Sequence, residues 1–270
     1  MFKTRLLSGI LLVIATVLTL YFGGFVTFIV LTAISLIGVN EILRIFEIEK
    51  SSLAVIVYCA TILYYLMLFF GVGSWGFMFL LAVLIFLLGA YVFGYPKYHA
   101  HQLMAAFFSL VYVSVMMSYI YQLRILQNGG EYVVLIFLAA WGTDTFAYCS
   151  GRLFGKHKMT PVLSPNKTIE GAIGGVIGSA ILGVIYGFFI QNKLRLDYDP
   201  VTIFPMICAI GGLVSMIGDL AASAIKRNFD IKDYGTLIPG HGGILDRFDS
   251  IIIVAPIVYL VVAMITGASL

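Results

Sequence analysis

Residues 251–267 read IIIVAPIVYLVVAMITG, seventeen positions without one charged side chain. A run of that length and apolarity suits a helix crossing the hydrocarbon core of a bilayer, where backbone polar groups must be satisfied within the segment itself. The residues just before it have the opposite character. Leu237–Ser250, LIPGHGGILDRFDS, packs three glycines, a proline, a histidine, an arginine and two aspartates into fourteen positions. Working outward from this junction, the rest of the chain repeats the apolar theme. Its 270 residues are 61% hydrophobic and 11% charged, with mean hydropathy +1.05, whereas a soluble domain carries about a quarter charged residues. One aqueous core cannot hide that much apolar surface, so an all-α polytopic integral membrane protein is expected. Alternation with period two over ten-residue segments is absent, which argues against a membrane β-barrel.

Nine spans are expected, near residues 6–21, 25–40, 52–71, 76–94, 103–122, 132–150, 171–190, 201–224 and 251–268. The basic start and apolar run of MFKTRLLSGILLVIATVLTLY resemble a signal peptide, but no A-x-A cleavage site follows. It reads as an uncleaved first helix. With the N-terminus cytoplasmic, the cytoplasmic side holds Lys3, Arg5, Arg44, Lys50, Lys97, Arg152, Lys156, Lys158, Lys167, Lys226, Arg227, Lys232 and Arg247. The other side keeps Arg124, Lys193 and Arg195. This bias follows the positive-inside rule and puts the C-terminus outside. The three cysteines, Cys59, Cys149 and Cys208, lie in apolar runs without metal-ligand spacing and read as small buried residues.

The two halves differ. Residues 1–125 carry almost no intramembrane charge and read as N-terminal scaffold helices. Residues 126–270 read as a catalytic region with cytoplasmic loops at 151–170 and 225–250. Span seven, GAIGGVIGSAILGVIYG, repeats small residues four apart (Gly171/Gly175, Gly174/Gly178, Gly183/Gly187), the pattern of close helix packing.

Asp144, in AAWGTDTFAYCSG, and Asp219, in LVSMIGDLAASAIKR, stand within apolar sequence. An aspartate at the centre of a spanning helix costs roughly 2.5–3.5 kcal/mol, so such residues mark functional sites by default. Asp219, Ser223 and Lys226 fall at i, i+4 and i+7 and share one helix face. Asp246 and Asp249 stand three apart at the entrance to span nine. Convergent carboxylates of this kind suit Mg²⁺, which is held by one or two of them together with waters and substrate phosphates. The His and Cys pairs that zinc would require are missing. Lys167, Lys226, Arg227, Lys232 and Arg247 supply cations beside the acids, a combination that suits a polyanionic substrate. Pro239-Gly240-His241-Gly242-Gly243 adds a glycine-rich turn whose N–H groups can face an anion. GRLFGKHK, Gly151–Lys158, is one residue short of a P-loop and lacks the Ser/Thr after Lys156.

Ser223-Ala-Ile-Lys226-Arg227, Lys232-Asp233-Tyr-Gly235 and Ile238-Pro239-Gly-His241-Gly242-Gly243-Ile-Leu-Asp246-Arg247-Phe-Asp249 together resemble the signature of the phosphatidate cytidylyltransferases (CDP-diacylglycerol synthases). SPNKTIEG, Ser164–Gly171, and WGTDTFAY around Asp144 also resemble segments of that family, so the likeness covers roughly the second half of the chain. The resemblance implies a reaction in which CTP and phosphatidic acid give CDP-diacylglycerol and pyrophosphate, with Mg²⁺ and a possible second cation. It implies Asp219, Asp246 and Asp249 as metal ligands, and Lys226, Arg227 and Arg247 as phosphate-binding cations. Gly242 and Gly243 would face the nucleotide, while Asp144, Lys167 and Asp233 would complete the site. His241 is assigned to triphosphate contact or loop structure. The expected partners are CTP, phosphatidic acid, the bilayer and a second copy in a homodimer, with no nucleic acid, and the expected place is the bacterial inner membrane. The competing readings are another CTP-dependent lipid enzyme, such as a polyprenol kinase, and a secondary transporter. The transporter fits poorly, since the polar residues gather toward one membrane side without a second copy.

Overall fold

The computed structural model describes residues 2–193, 198–240 and 242–267. Arg195 and His241, named above, lie outside the described residues. The protein is an all-α membrane protein, with helices α1 (Phe2–Phe22), α2 (Gly24–Ile45), α3 (Ser52–Phe69), α4 (Gly76–Phe93), α5 (Ala100–Ser109) and α6 (Met116–Ile125) in the first part. There follow α7 (Gly129–Phe154), α8 (Ile169–Ile190), α9 (Pro200–Asn228) and α10 (Leu245–Thr266). A π-helical stretch, Leu110–Val115, joins α5 to α6 into one span of 26 residues. Among the described residues, eight helices are long and apolar enough to cross a membrane. The remaining expected span corresponds to α1, whose apolar part is the shorter Leu7–Phe22.

Several helices run past the expected spans: α2 reaches Ile45, α9 reaches Asn228 and α10 begins at Leu245. α7 runs to Phe154, past the residue 150 expected as its end, and the loop beyond it is ordered as an antiparallel hairpin. Strands β1 (Lys158–Thr160) and β2 (Ser164–Thr168) pair Lys158 with Thr168 and Thr160 with Ser164. Strands of three and five residues are too short to show a periodic signal in the sequence, and their pairing supplies the backbone hydrogen bonds instead.

The chain forms two compact units. The first contains residues 1–122 and the segment 233–247. Its core is aromatic: Phe28 packs against Phe69 with ring centroids 4.8 Å apart, and Tyr65 and Tyr121 meet Phe28 edge-on. Hydroxyl pairs bond between helices within that core, Ser35 with Tyr65 at 2.8 Å and Thr61 with Ser114 at 2.8 Å. Such bonds matter where the alternative is a polar group left in hydrocarbon.

The second unit contains residues 123–232 and 248–270, and it is held differently. Here α8 lays its glycines against backbone. A β-carbon on Gly175 would stand 2.9 Å from the Thr143 carbonyl oxygen of α7, and one on Gly171 would stand 2.8 Å from that of Ala147. Farther along α8, Gly183 abuts the Phe204 carbonyl and Pro205 of α9, and Gly187 abuts Pro200. The glycine repeat of span seven is thus a packing device that lets α7 and α9 approach α8 closely. Pro205 breaks the hydrogen-bond ladder inside α9 without ending the helix.

Candidate active site

A cavity of about 530 Å³ opens within the second unit, between α7, the β2 strand, α8 and α9. Its polar lining comes from Asp144, Tyr148 and Arg152 on α7, from Ser164, Asn166, Lys167 and Thr168 on β2, and from Asp219 on α9. Successive turns of α7 put Asp144, Tyr148 and Arg152 four residues apart, on one face. The Arg152 guanidinium donates to the Tyr148 hydroxyl at 3.0 Å. β2 delivers Lys167 to the cavity, where its ammonium forms an ion pair with the Asp219 carboxylate. Both side chains keep about a quarter of their surface open, 26% and 29%, so the pair sits at an accessible wall rather than in a sealed core.

A further carboxylate belongs to this neighbourhood. Asp249, near the start of α10, is half-buried and lies within electrostatic reach of Asp219, Lys226 and Asp144. Three helices thereby bring Asp144, Asp219 and Asp249 together with Lys226. α9 is unbroken from Asp219 through Ser223 to Lys226, so the shared face read from their spacing is present. Arg227, one position on, is exposed in the last helical turn. Among the described residues no three His, Cys, Asp or Glu side chains form a group able to hold a metal ion by themselves. That is compatible with a cation shared between protein and substrate, since Mg²⁺ keeps several waters and takes only one or two carboxylates.

The hairpin that carries Lys167 is tied down by Glu170 in the first turn of α8. Its carboxylate accepts from the backbone N–H of Lys156 at 3.1 Å and of His157 at 3.2 Å, and meets His157 Nδ1 at 2.6 Å. Thr168 caps the same helix, its hydroxyl accepting from Gly171 N–H at 3.1 Å. The segment Lys156–Gly171 therefore holds Lys167 from both sides.

The glycine-rich segment 233–247 is organised within the first unit. Asp246 is 7% exposed and accepts at Oδ2 from the backbone N–H of Tyr234, at 2.7 Å, and of Gly243, at 2.9 Å. Ile238 N–H donates to the Gly242 carbonyl at 2.8 Å, closing a turn in which Gly240 (φ 77°) and Gly242 (φ 87°) take left-handed backbone that L side chains rarely adopt. Glu41, from α2 and only 4% exposed, accepts from Ile244 N–H and Leu245 N–H, each at 2.9 Å. Arg44, one turn on, donates to the Tyr234 carbonyl at 2.6 Å. Asp233 is exposed and Arg247 half-buried.

Of the residues picked from the sequence, Asp144, Lys167, Asp219, Asp249 and Lys226 share one neighbourhood of the second unit. Asp233, Gly242, Gly243, Asp246 and Arg247 belong to the first unit's loop segment. Arg152, Ser164 and Asn166 line the cavity without having been singled out. Their signal was modest: Arg152 lies two turns after Asp144, and Ser164 and Asn166 flank Lys167 within SPNKT. Glu41 lies one residue beyond the expected end of the second span, and the extension of α2 to Ile45 brings it inside the helix.

The comparisons with known proteins bear on the family of the chain. The model of the cytidylyltransferase family matches residues 3–265. The phosphatidate cytidylyltransferase of Staphylococcus saprophyticus is 34% identical over 267 residues, covering 97% of this chain and all of that protein. Those of Staphylococcus haemolyticus and Staphylococcus aureus are 36% and 35% identical over 259 residues, covering 94% of this chain and 96% of theirs. With a family match over nearly its whole length and relatives aligned end to end, the chain belongs to the cytidylyltransferase family.

Proposed function

We propose that the protein is a phosphatidate cytidylyltransferase, transferring CMP from CTP to phosphatidic acid. The observation that carries this reading is the Lys167–Asp219 pair on the wall of a cavity that also holds Asp144 and Arg152, in a chain otherwise built for the bilayer. A lipid acceptor calls for a site reached from the membrane, and a nucleotide donor for charged groups able to neutralise phosphate.

The chemistry is a displacement at phosphorus. A phosphate oxygen of phosphatidic acid forms a bond to the α-phosphorus of CTP, and the bond from that phosphorus to the bridging oxygen breaks, releasing pyrophosphate. The attacking oxygen is already ionised at neutral pH, so a strong general base is not required. The demand is to neutralise and align two anions. Lys167, Lys226 and Arg152 supply positive charge in the second unit. Asp219 and Asp249, with Asp144 beside them, would hold Mg²⁺ and a second cation. When bound, Mg²⁺ supplies charge neutralisation and orientation of the phosphates. Arg227, Gly242, Gly243 and Arg247 are assigned to the phosphates, and Asp233 to support of that loop. Asp246 keeps its proposed place among the cation-binding carboxylates, with Oδ2 committed to the loop amides. The proposed topology has nine spans, with the N-terminus cytoplasmic and the C-terminus outside, and in it this chemistry would lie at the cytoplasmic face of a bacterial inner membrane. A homodimer is the proposed assembly.

Protein purified in detergent and supplied with CTP, Mg²⁺ and phosphatidic acid should release pyrophosphate and form CDP-diacylglycerol. Transfer of phosphate to a polyprenol, with no turnover of phosphatidic acid, would overturn the assignment.

A further inference from the structure

Glu41 stands outside the signature and on a different helix, yet its carboxylate is committed to the signature's backbone. The first N–H groups of a helix have no partner within it. At the start of α10 two of the available donors, Ile244 N–H and Leu245 N–H, are met by Glu41, one oxygen each. A negative group at this end of a helix is further favoured by the helix dipole. A second, independent feature concerns the glycines. A β-carbon on Gly243 would lie 2.6 Å from Glu41 Cδ and 2.7 Å from Oε2, and one on Gly235 would also collide with the Glu41 carboxylate. The bare backbone at both positions leaves the volume that Glu41 fills. One turn before Glu41, Gly38 makes room for Leu245. One turn after, Arg44 holds the Tyr234 carbonyl. Gly38, Glu41 and Arg44 lie at i, i+3 and i+6, so one stripe of α2 receives the whole segment.

We propose that Glu41 is a positioning residue for CTP binding: its two-amide clasp fixes the segment Gly243–Arg247 at the head of α10, and so sets the glycine turn and Arg247 in the geometry that meets the nucleotide. This rests on the function proposed above. Glu41→Gln keeps one acceptor oxygen but turns an NH₂ toward a backbone N–H, and Glu41→Asp is one methylene too short to span both amides.

The test uses the full chain in detergent. Glu41→Gln should raise KM for CTP about tenfold while leaving KM for phosphatidic acid unchanged, and Glu41→Ala should lower kcat/KM for CTP about 10- to 100-fold, the range expected for losing charged hydrogen bonds. Hydrogen exchange should quicken at Ile244 and Leu245 while α7 and α8 keep their protection. Because the carboxylate and the Gly243 β-carbon compete for one space, Gly243→Ala should cost less in the Glu41→Ala background than in the wild type. Wild-type KM for CTP together with wild-type exchange at Ile244 and Leu245 would overturn the proposal. So would an equal loss toward both substrates accompanied by a lowered melting temperature. A wild-type enzyme that releases no pyrophosphate would instead defeat the function assigned above, and the exchange measurement would still report on the clasp.

Discussion

Two loop segments of this protein are each held by one glutamate, and the two glutamates work under opposite conditions. Glu170 ties the hairpin that carries Lys167; its side chain is 26% exposed, and its histidine partner is 74% exposed. Glu41 ties the glycine-rich segment and is 4% exposed. The exposed clamp can exchange its partners for water at little cost, because protein and solvent hydrogen bonds nearly balance there. For the buried clamp no water stands ready, and removing it leaves two backbone donors unpaired at about 1–3 kcal/mol each. The helices around them differ in the same sense. The first unit is joined by aromatic rings and paired hydroxyls, the second by glycines set against backbone. Side chains can shift to relieve a misfit, whereas backbone cannot.

The sharpest break falls on neither clamp but on the carboxylate that meets the charge the hairpin delivers. Asp219→Asn should lower pyrophosphate release about 100- to 1,000-fold, the scale for losing one electrostatic contact to a transition state. The melting temperature in detergent should change little, because Asp219 is partly solvated. Full activity in that variant would remove Asp219 from the site. Next in size, Glu41→Ala should both lower CTP turnover and reduce the melting temperature by several degrees. A stable variant would mean that the buried clamp is replaceable. Gly183→Ala tests the glycine packing. Its new methyl would meet the Phe204 carbonyl and Pro205 backbone, so a loss of about 1–3 kcal/mol in thermal stability is expected. An unchanged melting curve would contradict the idea that backbone contact is the less forgiving kind. Glu170→Gln should do least, with turnover falling less than about threefold and stability unaltered. A loss there as large as that of Glu41→Ala would erase the contrast between exposed and buried clamps.

Much of this was legible from residues alone. The apolar runs located the helices to within a few positions, since the bilayer forces each backbone to satisfy itself locally. Asp144 and Asp219 stood out for their cost in an apolar setting, and Lys167 as a loop cation beside the acids; all three line the cavity. The hairpin at 158–168 was not legible, because its pairing is made across a turn by strands too short to carry a period. Arg152 read as one more cation of a positively charged loop until the extension of α7 to Phe154 placed it on the Asp144 face. Asp246 read as a cation ligand by its type and neighbours. In the folded chain its Oδ2 accepts from the backbone N–H groups of Tyr234 and Gly243.

What the sequence determined by itself is the class of the molecule and the identity of its charged residues, because hydrophobicity and intramembrane charge are properties of the residues wherever they sit. What only the tertiary structure decided is which groups answer one another across long stretches of chain: Glu41 with Ile244 and Leu245, and Lys167 with Asp219. Hydrogen bonds and ion pairs act over a few ångströms, and separations of 52 and 203 residues become that short only when the helices have packed.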